Sequence, residues 1–177
     1  AMECEMLIVF AGGTCGDIVC ELIDRGTMPV FEDGYRSKLK HIDRFNSDLE
    51  KMEYIKEAEK KFKSIPSHDL DFHIKNQHNF IGITVMNHKD RLWASERFKI
   101  INQPESWEVM AKSSGADTIE SYAEIIDQMT KRIKITKNPT IDLHNIRNGT
   151  LIDQMQALNI DLISSAKEHY QNWLKRH

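Results

Sequence analysis

The stretch Leu7-Ile-Val-Phe-Ala-Gly-Gly-Thr-Cys-Gly-Asp-Ile-Val-Cys-Glu-Leu-Ile23 decides the fold. Its apolar run ends in Ala11-Gly12-Gly13-Thr14-Cys15-Gly16-Asp17, and apolar residues then recur at helical spacing as Ile18, Val19, Leu22 and Ile23. That pattern predicts strand, glycine turn and helix. Such a turn can aim backbone N–H groups at an anion, and the positive end of the helix dipole adds to the attraction.

Working outward, the same alternation continues. Ser47 and Glu50 form a capping box ahead of a helix carrying Leu49, Met52, Ile55, Ala58 and Phe62, which stops before Pro66. Phe80 to Met86 is a β-rich apolar run, and a helix follows from His88 to Phe98. Met28-Pro-Val-Phe31 fits a short strand or a loop, and residues 33–45 a surface loop or short helix. Pro104 opens a helix through Trp107, Met110 and Ala111. Asp117 with Glu120 caps a helix containing Ile119, Tyr122, Ala123, Ile126, Met129 and Ile133. Thr140-Ile-Asp-Leu143 is a short strand, and two amphipathic helices close the chain. Strands alternating with helices predict an α/β three-layer sandwich with a short, mainly parallel sheet. In such sheets, ligands sit at the carboxyl ends of the strands.

The chain's 177 residues fit one domain, taken as 2–177, with Ala1 read as a tag remnant. A net charge of −3 argues against a nucleic-acid coat. No run is long enough to span a membrane, and Glu3 and Glu5 oppose a signal peptide. Three cysteines without a Cys-x-x-Cys pair fit a reducing, cytoplasmic setting and no structural zinc.

The glycine turn admits a phosphate or sulfate cradle, a dinucleotide fingerprint or a plain tight turn. Gly-Gly-x-x-Gly is not the dinucleotide spacing. Asp17 and Ile18 stand where a kinase-type loop has Lys and Ser or Thr, so a carboxylate would face the phosphates of ATP. Cys15 lies near a helix start, but the residue of a Cys-x₅-Arg loop is Glu21.

The strand–Ala-Gly-Gly-Thr–helix start resembles the sulfotransferase superfamily, whose P-loop-like turn holds the 5′-phosphate of 3′-phosphoadenosine 5′-phosphosulfate. Ile83-Thr-Val-Met-Asn-His-Lys-Asp-Arg-Leu-Trp-Ala-Ser95 is similar to that family's strand and helix for the donor's 3′ end. Thr140 to Ile146 and Leu151 to Ile160 look like its late strand and helix, and the short chain looks like phage members. The resemblance implies a P-loop, nucleotide-binding transferase that moves a sulfuryl group to a hydroxyl acceptor. Gly12, Gly13, Thr14, Cys15, Gly16 and Asp17 would hold the donor, with Asn87 and Ser95 near its 3′ end. His68, in Ser67-His-Asp-Leu-Asp-Phe-His73, would be the catalytic base. No metal is expected. The chain departs from the family at Ala11, where Lys or Arg is usual, and at Met86, where an Arg binds the 3′-phosphate; both remove a cation.

Alternatives are a nucleotide or nucleoside-phosphate kinase relative and a non-catalytic binding domain on the same fold. A metal reading of His68, Asp69, Asp71 and His73 fails on a strand, where alternation puts His68 on the face opposite the other three. Arg91 could meet a phosphate, and Trp93, Trp107 or Trp173 a base. The bland readings of these four are an ion pair and core packing.

Overall fold

Strand β1 (Met6–Val9) is apolar throughout, and its Ile8 and Val9 are fully buried. A strand buried on both faces belongs inside a parallel sheet. The computed structural model describes residues 6–24, 42–100 and 115–177. After β1 come α1 (Gly16–Asp24), a 3₁₀ turn (Ile42–Arg44), α2 (Asp48–Glu59), β2 (Ser64–Ser67) and α3 (Leu70–Lys75). Then follow β3 (Ile81–Thr84), α4 (88–100), α5 (Ile119–Ile135), β4 (Thr140–Asp142), α6 (Leu143–Arg147), α7 (Leu151–Ala157) and α8 (Ser164–Arg176). The expected strand at Met28–Phe31, most of the 33–45 loop and the Pro104 helix lie outside the described residues.

The sheet has the order β2-β1-β3-β4, and every pair in it is parallel. The chain leaves β1 for β2 on one side, then crosses back to β3 on the other. That reversal makes the carboxyl ends of β1 and β3 the topological switch point.

Alternation along β1 feeds two cores. Ile8 and Phe10 join α1, α6, α7 and α8 through Ile18, Leu22, Ile146, Met155 and Tyr170. Leu7 and Val9 join Ile55, Ile65, Phe72 and Ile133 on the opposite face. Gly82 is on this second face because a Cβ there would sit 2.3 Å from Ile133 Cγ2. Helices therefore cover both sides of the sheet, and the fold is α/β.

Several local expectations change. Pro66 does not merely follow a helix; it lies inside β2, beside Ile8. An edge strand tolerates proline because one of its sides needs no donor. β2 begins on a buried carboxylate, since Asp24 Oδ1 accepts from the N–H groups of Lys63 and Ser64 at 2.7 and 3.0 Å. Its Oδ2 accepts from Ser64 Oγ at 2.8 Å. Helix α5 is capped by Thr118 with Ser121, one residue later than the Asp117–Glu120 expectation. Ser47 caps α2 as expected, yet Leu49 is exposed, because the helix turns that position to solvent. Leu143 starts α6 rather than ending β4.

Candidate functional site

The glycine turn leaves β1 at the switch point and delivers the chain into α1. Thr14 N–H and Thr14 Oγ1 both donate to Ala11 O, at 3.2 and 2.7 Å, so the turn closes on itself. Gly13 has φ +86 and Cys15 φ +67, the left-handed region that favours glycine. All three glycines are pressed by neighbours. A Cβ at Gly13 would lie 2.3 Å from Ala94 O of α4, one at Gly12 2.4 Å from the Phe98 ring, and one at Gly16 2.2 Å from the Phe10 ring. Phe98 stacks on Tyr122, whose hydroxyl donates to Gly12 O at 2.8 Å. Burial pushes the Tyr122 phenol well above its ordinary range, so it stays a donor. Thr14 and Cys15 are buried, while Gly12, Gly13 and Asp17 are partly open. Gly12 and Gly13 are thus packed closely against α4 and Gly16 against Phe10, a constraint the spacing alone did not reveal.

His68 leaves the end of β2 and reaches β1. Its Nδ1 lies 2.6 Å from Phe10 O, and its ring meets the Phe10 ring edge-on at 4.6 Å. A carbonyl only accepts, so Nδ1 carries a proton in this contact. The structure therefore brings His68 to the residue that opens the glycine turn.

The rest of the histidine segment is not a strand. Asp69 caps α3 by accepting from Phe72 N–H, and Lys51 Nζ lies 2.5 Å from its Oδ2. Burial raises the Asp69 carboxyl, but Lys51 and the Phe72 N–H outweigh it and hold it below the usual value. Asp71 pairs with Arg132 at the surface. His73 is fully buried, with Nε2 2.8 Å from Ser67 Oγ and Nδ1 3.0 Å from His78 Nδ1. Burial, then the neighbouring His78, push its pKa down to about 4, so it is neutral at pH 7. Among the described residues, no group of three His, Cys, Asp or Glu is placed to hold a metal ion.

The residues expected at the donor's 3′ end go to two different places. Ser95 is buried and donates to Ile119 O at 2.7 Å, tying α4 to the start of α5. Asn87 is exposed and accepts from Lys89 N–H at 2.8 Å, turning the chain into α4. Arg91 donates to Val85 O and Met86 O at 3.0 and 3.1 Å and faces Asp127 at 3.5 Å. It secures the end of β3. Asp142 Oδ2 accepts from Thr84 Oγ1 and Met86 N–H, joining the exits of β3 and β4.

Beyond these exits lies a cleft of about 530 Å³ between α4, α6 and the end of α8. Asn87, Asp90, Trp93, Arg147 and Trp173 line it. Arg147 covers the Trp93 ring at 4.1 Å and donates to Asp90 Oδ1 at 2.6 Å. Sequence reasoning missed Arg147, because nothing local links it to Asp90, 57 positions away.

Comparison with family models, curated proteins and solved structures finds no match for this chain. The fold defines a class: a parallel α/β protein with a glycine turn at its switch point and a polar cleft beyond the exits of β3 and β4. No helix among the described residues is long and apolar enough to cross a membrane.

Proposed function

We propose that the chain is a sulfotransferase-like protein of the P-loop type. It takes 3′-phosphoadenosine 5′-phosphosulfate at the β1–α1 turn and transfers the sulfuryl group to a hydroxyl acceptor. The observation that carries this reading is the placement of His68, tied through Nδ1–H to Phe10 O at 2.6 Å beside the glycine turn. That tautomer is the one a base needs. His68 Nε2 takes the acceptor's proton as its oxygen attacks sulfur. The bond from sulfur to the bridging oxygen breaks, and adenosine 3′,5′-bisphosphate leaves with the electron pair. Asn87 stands on the same sheet edge, at the exit of β3.

Titration calorimetry with adenosine 3′,5′-bisphosphate tests the donor site. Saturable binding is expected, with transfer lost in His68→Ala while the bisphosphate still binds. No heat at millimolar bisphosphate would refute the reading.

A second reading is favoured by a specific observation. Gly12, Gly13 and Gly16 are each filled by a neighbour, and Thr14 and Ser95 spend their hydroxyls on backbone carbonyls. A non-catalytic domain that keeps the turn for packing has this form. It predicts a folded protein without bisphosphate binding.

A further inference from the structure

A line of hydrogen bonds runs from half-buried His78 to the residues that flank His68. His78 Nδ1 lies 3.0 Å from His73 Nδ1, and His73 Nε2 lies 2.8 Å from Ser67 Oγ. Ser67 Oγ also accepts from Asp69 N–H at 3.1 Å. Ser67 and His73 are fully buried, and His78 is the member nearest solvent. Ser67 and Asp69 stand on either side of His68, so the bond between them closes the turn from which the His68 ring projects. The same turn is fastened to β1. Ser67 O accepts from Phe10 N–H at 3.0 Å, and His68 Nδ1 lies 2.6 Å from Phe10 O. Asp43 Oδ1 accepts from His68 N–H at 3.3 Å. The seat of the His68 ring therefore depends on where Ser67 is held.

The outer end of the line counts protons. Two ring nitrogens 3.0 Å apart share one hydrogen, so one donates and the other accepts. A hydrogen on each would put two donors in one gap and two positive rings side by side. A fully protonated pair must part. The His73 ring is enclosed by the rings of Phe72, Phe80 and His78, so His78 is the one to leave. The charged groups that face the pair are Asp69 and Lys51, which lie 2.5 Å apart and offset each other.

We propose that His78, His73 and Ser67 form a positioning relay for His68. The relay holds the His68 ring on Phe10 O while the histidine pair shares one hydrogen, and it loosens that ring when acid parts the pair. Its effect on transfer rests on the reading of His68 as the base, but its test reads the His68 ring alone.

That test is imidazole nitrogen NMR of the intact, isotopically labelled chain from about pH 8 down to about pH 4. At the upper end the parent's His68 should be the Nδ1–H tautomer. His78→Leu removes the outer end of the relay and should move the His68 tautomer ratio about threefold to tenfold toward Nε2–H. His78→Asn puts an amide atom where Nδ1 stood and should restore most of the parent's ratio. In acid, the parent's His68 nitrogens should shift in step with the His73–His78 titration, a step missing from His78→Leu. Circular dichroism checks that each variant is folded. If His78→Leu is not, Ser67→Ala cuts the relay at its inner end and is read in its place, with the same expectation. The proposal is overturned if the His68 ratio and pH curve of the folded variant match the parent's. It is also overturned if His78→Asn behaves as His78→Leu does. Adenosine 3′,5′-bisphosphate is absent from this test, so the donor reading can fail without deciding it, and the relay can fail while the donor still binds.

Discussion

Replacing Gly13 with alanine separates the two explanations of the glycine turn. Gly13 has φ +86, where an L residue is strained by about 1–2 kcal/mol. Its new Cβ would also stand 2.3 Å from Ala94 O and 2.9 Å from Phe98 Cβ. Ala94 O is backbone inside α4, so it cannot rotate away; the helix itself must shift. Overpacking of that kind costs about 1–3 kcal/mol more. The sum is about 2–5 kcal/mol, a large share of a domain's stability. Gly115 is the internal control: its φ is +76, yet no atom of the described residues stands within 4 Å of its Cβ position. Gly115→Ala should show only the conformational part. Urea unfolding followed by circular dichroism measures both variants. Equal destabilisation of the two would refute the packing argument. So would a Gly13→Ala protein as stable as the parent that has merely lost an anion.

Two other outcomes follow from buried groups. Asp24→Ala leaves the Lys63 and Ser64 N–H groups and the Ser64 hydroxyl without their carboxylate, at the start of β2. Urea unfolding should show a loss of about 3 kcal/mol, and a loss under about 1 kcal/mol would mean that water replaces the carboxylate. His73 titrates at about 4 when folded, against the ordinary histidine value of 6.5. The unfolded chain therefore binds this proton first, so stability is full above about pH 6.5 and falls as pH drops toward 4. The difference is at most about 3 kcal/mol, and it belongs to the His73–His78 pair, because burial lowers His78 as well. His73→Gln should flatten that part of the pH profile of the urea midpoint; an unchanged slope would place the titration elsewhere.

What the sequence determined by itself is local. The strand–turn–helix at Leu7 to Ile23 was legible because apolar period and glycine punctuation are properties of neighbouring residues. The same holds for α2, α5, α7 and α8 and for the central strand. β2 was not legible, because Ser64-Ile-Pro-Ser67 carries a proline and too few apolar residues to signal a strand. Only its edge position beside β1, and the Asp24 carboxylate reaching it from α1, make it one. The histidine segment reads as a polar strand edge or loop, whereas Asp69 caps a helix by accepting from Phe72 N–H.

The candidate site divides in the same way. The glycine turn and His68 could be named from the chain, but their meeting could not, since 58 positions separate His68 from Phe10. The glycines suggested a ligand, whereas tertiary contact gave them Phe98, Ala94 and Phe10 as neighbours. Tertiary contact likewise set Ser95 Oγ on Ile119 O, which nothing near Ser95 in the chain announces. The cleft of Asp90, Arg147 and Trp173 had no sequence signal, because its lining comes from three helices distant along the chain. Periodicity reports which face of an element is buried; it carries no information on which distant polar atoms end up side by side, and these decide the chemistry.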